Sequence, residues 1–167
     1  MHIPFVAALL LAATAAQVQE AISDPSCANV RASVPPELAA WAGQAPVAAG
    51  TEAGGGAIIR PGEAVRVSLH PANHLKLNPA PKVLGPNGGT LTLAISAPGT
   101  YRLALGGRSW LNVIRNGTVT PSSARSNGPK CSGIRKMVDY VLNPGQYTIQ
   151  LSGSEAESVT LLAVRVP

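Results

Sequence analysis

The sequence predicts an all-β fold, an antiparallel β-sandwich of jelly-roll-like layout with a short N-terminal arm. Three observations carry that expectation. Two nine-residue stretches are near copies: Ala97-Pro98-Gly99-Thr100-Tyr101-Arg102-Leu103-Ala104-Leu105 and Asn143-Pro144-Gly145-Gln146-Tyr147-Thr148-Ile149-Gln150-Leu151. Each reads as a Pro-Gly turn feeding a strand, with Tyr, Leu or Ile, and Leu on one face and polar or small residues on the other. The same alternation runs through Val65, Val67 and Leu69 and through Leu91, Leu93 and Ile95, the period of a half-buried strand. Turn-forming groups punctuate these runs: Pro61-Gly62, Asn87-Gly88-Gly89, Pro98-Gly99, Gly106-Gly107, Asn116-Gly117, Asn127-Gly128 and Pro144-Gly145. Asn-Gly suits tight hairpins because both central residues need positive φ.

Taken in chain order, residues 1–16 read as a signal peptide. The apolar run Phe5-Val6-Ala7-Ala8-Leu9-Leu10-Leu11-Ala12-Ala13 is followed by the small-residue pattern Ala13-Thr14-Ala15. The run is too short to span a bilayer. The expected destination is the periplasm or the exterior. Residues 17–56 form the arm. Within it, Pro35-Pro36-Glu37-Leu38-Ala39-Ala40-Trp41-Ala42-Gly43 fits a short helix with Pro at its start and Gly at its end. Leu38 and Trp41 share one face of it. The Ala- and Gly-rich stretch 48–56 reads as a flexible connection. Residues 57–167 form the sandwich, with candidate strands at 57–60, 63–70, 74–78, 90–96, 100–106, 109–115, 136–142, 146–152 and 158–166. The near copies occupy equivalent strands of two halves.

Cys27 and Cys131 are the chain's two cysteines. In an oxidising compartment an even pair bridges, so a structural disulfide is expected. Such a bridge closes a long loop and contributes about 4–5 kcal/mol in the chain-entropy account.

The formal net charge is +5, and its distribution carries more information than its total. No Asp or Glu lies between Glu63 and Asp139, a window that holds Arg66, Lys76, Lys82, Arg102, Arg108, Arg115, Arg125, Lys130, Arg135 and Lys136. Such a window gives a positive surface potential suited to an anionic envelope glycan or lipid. Nucleic acid is not the expected partner, because Trp41, Trp110 and three tyrosines are few stacking platforms. The long interior loop 120–134 is polar and cationic, and Cys131 ties it to the arm. Loops of this length often carry function, so Arg125 and Lys130, with Arg135 and Lys136 just beyond, are the candidate ligand-binding cations. Trp110 alternates with Leu111. If Leu111 and Val113 face the core, Trp110 either lies under the arm or stands open beside Arg108, where it can stack on a flat ligand.

Catalytic patterns are sparse. No serine sits in Gly-x-Ser-x-Gly, Gly54-Gly55-Gly56 leads to no Lys-Ser/Thr pair, and only Asp139 of the carboxylates falls in a candidate strand. His70 and His74, with Glu63, can be assembled into two histidines and a carboxylate, the ligand set of non-haem Fe(II) sites. Pro71 and the alternating flanks keep that pair off a helix. Asn116-Gly117-Thr118 matches a glycosylation acceptor, but its place is a tight turn. No cofactor is expected from the residues themselves.

The segments 35–41, 100–106, 131–139, 144–147 and 164–167 together resemble a group of small exported bacterial proteins often labelled homogentisate 1,2-dioxygenase. That resemblance covers nearly all of the chain beyond residue 16. The label implies an Fe(II)-dependent ring-cleaving dioxygenase, with iron on two histidines and a glutamate; the enzyme family's own motifs around that set are not found here. The Pro-Gly-x-Tyr strands also resemble those of exported jelly-roll modules such as carbohydrate-binding and pre-peptidase C-terminal domains. The residues therefore favour a non-enzymatic binding or accessory module, with the iron oxygenase as the alternative.

Overall fold

The computed structural model describes residues 25–167. The expected signal peptide and the first residues of the arm lie outside them. Among the described residues twelve strands form two packed sheets: β1 (Ala45–Ala48), β2 (Ile58–Ile59), β3 (Ala64–Ser68), β4 (His70–Pro71), β5 (Asn87–Ile95), β6 (Gly99–Leu105), β7 (Trp110–Arg115), β8 (Thr118–Val119), β9 (Ala124–Asn127), β10 (Lys136–Leu142), β11 (Gly145–Ser154) and β12 (Ser158–Val166). The first sheet runs β1-β3-β12-β6-β10-β9 and the second β2-β5-β11-β7-β8, with β4 also paired to β5. The fold is the expected all-β sandwich. It is not wholly antiparallel, because β1 joins β3 and β2 joins β5 in parallel. Between the sheets lie the inward rows that alternation picked out, among them Val65, Val67, Leu91, Leu93, Tyr101, Leu103, Leu105, Tyr147, Ile149, Leu151 and Leu161.

The near-copy segments open β6 and β11, which sit in opposite sheets. Their neighbours match as well. Exchanging β5 with β10, β6 with β11 and β7 with β12 reproduces every pairing among these six strands. Register follows the exchange: Ile149 faces Leu91 and Val113, while Leu103 faces Val138 and Ala163. The corners share two hydrogen bonds. The Tyr101 hydroxyl donates to the Ala97 carbonyl at 2.7 Å and that of Tyr147 to the Asn143 carbonyl at 2.9 Å, a tyrosine corner in each half. The Arg165 guanidinium donates to the Pro98 carbonyl at 2.9 Å and that of Arg115 to the Pro144 carbonyl at 3.1 Å. The glycine of each Pro-Gly pair makes room for that arginine: a Cβ on Gly99 would lie 2.6 Å from Arg165 Nε, and one on Gly145 3.1 Å from Arg115 Nη2.

Several local expectations change. The arm is not a simple tether. Its 3-10 helix Pro36–Ala42 docks on the outer face of the first sheet, where Leu38 and Trp41 bury against Ala64, Ala104, Ile134, Met137, Leu162 and Val164. Its next residues become β1. The stretch 48–56 is bonded into the edge of the second sheet rather than flexible: Gly50 and Thr90 exchange backbone bonds of 2.8 and 2.9 Å, and Ala49 is buried. Asn87-Gly88-Gly89 is not a turn but the start of β5, where a Cβ on Gly88 or Gly89 would meet Leu151 or Ala49 at 2.5 Å. The expected strand 74–78 is replaced by the 3-10 helix Ala72–His74 and an irregular run, with Pro71 entering at φ −55°. Within the expected loop 120–134, residues Ala124–Asn127 pair with β10 as β9. Asn116-Gly117 does form the tight hairpin between β7 and β8, with φ of 50° and 74°.

Candidate functional site: a cationic cleft at the open edge

The two sheets end unevenly on one side. In the first sheet β9 extends beyond β10 along Lys136 to Asp139. In the second, β8 pairs only with Ile114 and Arg115, so the Trp110–Leu111 end of β7 faces no strand there. The overhang leaves a cleft between β7 and the β9–β10 pair. Its inner hollow, about 380 Å³, is lined by Trp110 and Leu111 from β7, Arg125 and Asn127 from β9, and Lys136, Val138 and Tyr140 among others from β10. An outer hollow of about 1110 Å³ continues from it, sharing Trp110, Asn127 and Lys136 and adding Arg108, Lys130, Cys131 and Arg135.

Register explains the charge placement. Arg125 lies opposite Val138 and Asn127 opposite Lys136, so both belong to the same face as the inward row Lys136, Val138, Tyr140. The inward face therefore passes from apolar core to cations at its rim. The Lys136 ammonium donates to the Ser109 carbonyl across the cleft. Burial, followed by the nearness of Arg125 and Arg135, holds that ammonium below the ordinary lysine value. Burial pushes the Tyr140 phenol up to about 12, with Arg125 opposing the rise. No protein group bonds the Tyr140 hydroxyl among the described residues. Among those residues no carboxylate lines either hollow. The nearest strand carboxylate, Asp139, is on the opposite face of β10. There it takes a bidentate pair of 2.8 Å bonds from Arg102, which also lies 3.8 Å from Glu37 of the arm.

All five candidate ligand-binding residues thus line one continuous concavity: Arg125 the inner hollow, Lys130 and Arg135 the outer, Lys136 and Trp110 both. Trp110 points outward as the alternation requires, yet the arm does not cover it. Lys82, from the irregular run before β5, places its ammonium 5.8 Å from the ring centroid, and the indole N–H donates to Asn112 at 3.2 Å. The arm's own Trp41 takes the buried position instead, donating to the Ser132 carbonyl at 3.0 Å. Cys27 and Cys131 are bonded to each other, with Cα atoms 5.3 Å apart, and this disulfide forms part of the outer hollow's wall.

The candidate iron ligands do not assemble. Glu63 accepts a bond from the Arg60 N–H in the turn before β3, and His70 follows β3 at its far end. Five residues of extended strand between them span roughly 16 Å. The His70 Nε2–H donates to the Ala49 carbonyl at 2.8 Å, and His74 is exposed in its 3-10 turn. Among the described residues no three metal-ligating side chains converge, so no chemical step is derived through iron.

Sequence reasoning missed Asn127 and the floor formed by Leu111, Val138 and Tyr140. The alternation in 136–140 already sets Lys136 at the end of an inward apolar row. The placement of Arg125 beside that row depends on a strand pairing that composition does not announce. Compared with protein-family models and with curated proteins, the chain matches none. Among the described residues no helix is long and apolar enough to cross a membrane.

Proposed function

We propose that this protein is an exported, non-enzymatic binding module, working in the periplasm or outside the cell, that holds an anionic envelope glycan or lipid in the cationic cleft. The observation that carries the reading is the crowding of Arg125, Arg135 and Lys136, with no carboxylate at the cleft among the described residues. Burial first, and then the like charges of Arg125 and Arg135, lower the Lys136 pKa, and an anionic ligand offsets both. Two other cations of the window are engaged elsewhere: Arg102 pairs with Asp139 and Arg115 braces a corner. Export is supported by the apolar leader in the sequence and by the Cys27–Cys131 disulfide. Nucleic acid is disfavoured because Trp41, Tyr101, Tyr140 and Tyr147 are buried, leaving Trp110 as the one open aromatic platform among the described residues.

Retention on heparin and on immobilised lipopolysaccharide across a salt series tests the reading. Binding should weaken as salt rises, and the triple variant Arg125→Gln, Lys130→Gln, Arg135→Gln should lose at least about tenfold in affinity, one charged contact's worth or more. No retention on either matrix at low salt would overturn it.

A further inference from the structure

The structure assigns to the inner hollow an amphiphilic anion: a slender apolar body ending in one carboxylate or phosphate, with the acid at Arg125 and Lys136 and the body running over Leu111 and Val138 toward Tyr140. This inference rests on the anion-binding reading and narrows it to a ligand architecture. Three observations support it.

The first is an internal control. The strand exchange that relates the halves maps Leu111 to Leu161, Val138 to Leu91 and Tyr140 to Leu93. On that side the sandwich is sealed by β2 and β3, and Leu161, Leu91 and Leu93 are all 0% exposed. At the cleft the counterparts are 7%, 6% and 3% exposed. The same frame is closed on one edge and open on the other, so the opening is not a requirement of the fold. The second is chemical. A hydrated polyanion has no use for a floor of Leu, Val and a phenol ring, and a neutral hydrocarbon leaves the rim cations repelling one another. A ligand with an apolar part and a single acid satisfies both surfaces. The third is Tyr140. Its ring is buried in the core wall while its hydroxyl, which has no protein partner among the described residues, lines the hollow as a neutral donor. That hydroxyl can donate to a polar atom of a ligand lying over the apolar floor. At about 380 Å³ the hollow is at the small end of ligand sites, so it takes a short chain or one ring. The outer hollow leaves room for a headgroup.

Two sources share this chemistry: a free short-chain acid and the chain of an anionic phospholipid. Calorimetric titration of the whole protein with decanoate, decyl phosphate and the uncharged decyl maltoside reads the architecture directly. One molecule of decanoate or decyl phosphate should bind per chain. That binding should weaken at least about tenfold in Lys136→Gln and about fivefold in Tyr140→Phe, a substitution that keeps the ring and the fold. Val138→Trp, which fills the hollow, should abolish it. Co-sedimentation with phosphatidylglycerol vesicles assigns the source: a loss in Val138→Trp points to lipid, unchanged sedimentation to the free acid. Absence of binding by both anionic probes, or equal binding of the maltoside, would overturn the inference. If heparin is still retained in a salt-dependent way, the broader anion-binding reading survives that outcome; if it is not, both fall.

Discussion

The corner arginines show how much one side chain can organise. Arg115 donates to the Pro144 carbonyl and to the Tyr147 hydroxyl, and its guanidinium lies 5.2 Å from the Tyr147 ring centroid. Arg165 makes the corresponding bond to Pro98. Each crosses from one strand to the turn that feeds its neighbour, so each ties a sheet-to-sheet connection to the strand beside it. Arg165→Ala should cost about 1–2 kcal/mol, the worth of a charged hydrogen bond, read by urea denaturation. Gly99→Ala should cost a similar amount, since the new Cβ displaces the guanidinium. In the double variant the two losses should not add, because both remove the same contact; full additivity would show that Gly99 serves some other purpose. The Pro-Gly-x-Tyr repeat is visible in the sequence. The arginines that complete it are not, because Arg165 comes 67 residues after its turn while Arg115 comes 29 residues before its own.

At the scale of elements, the N-terminal segment gains its structure from what it covers. Leu38 and Trp41 are an i, i+3 pair that is apolar enough to need cover, and the outer face of the first sheet offers Ala104, Met137, Leu162 and Val164. The disulfide then anchors this segment to the β9–β10 connection. Removing it with Cys27→Ser and Cys131→Ser should cost roughly 2–5 kcal/mol in chemical denaturation. It should also expose the segment before β1 to protease earlier than the sandwich. Simultaneous loss of both would show that the arm is integral to the sheets rather than docked upon them. Cys131 also holds the wall of the outer hollow, so the same variant should weaken heparin retention.

For the molecule as a whole, alkaline pH is the condition that separates the cleft residues. Tyr140 has its folded value raised to about 12 from 10.0. Its unfolded form therefore ionises first, and stability falls as pH rises across that interval. Lys136 runs the other way. Its folded value is depressed from 10.5, so folding expels a proton just below that pH and stability there rises with pH. Denaturation curves from neutral pH to 12 should show Tyr140→Phe flattening the alkaline fall and Lys136→Met removing the rise; identical profiles for variants and parent would contradict the buried placement of both groups.

Periodicity and turn chemistry were enough to establish the layered all-β architecture, the inward rows, the Asn116-Gly117 hairpin and the pairing of the cysteines. Each of these is set by neighbours in sequence or by there being a single possible partner. The cleft had a different origin. Arg125, Lys130, Arg135, Lys136 and Trp110 stood out by charge and exposure, but their convergence required β9 to pair with β10 and β8 to stop short on β7. Likewise, keeping His70 and Glu63 apart depended on β3 running straight between them. Such outcomes hinge on register and on which strand ends a sheet. Both are decided by packing between segments remote in the chain, where no local pattern carries the information.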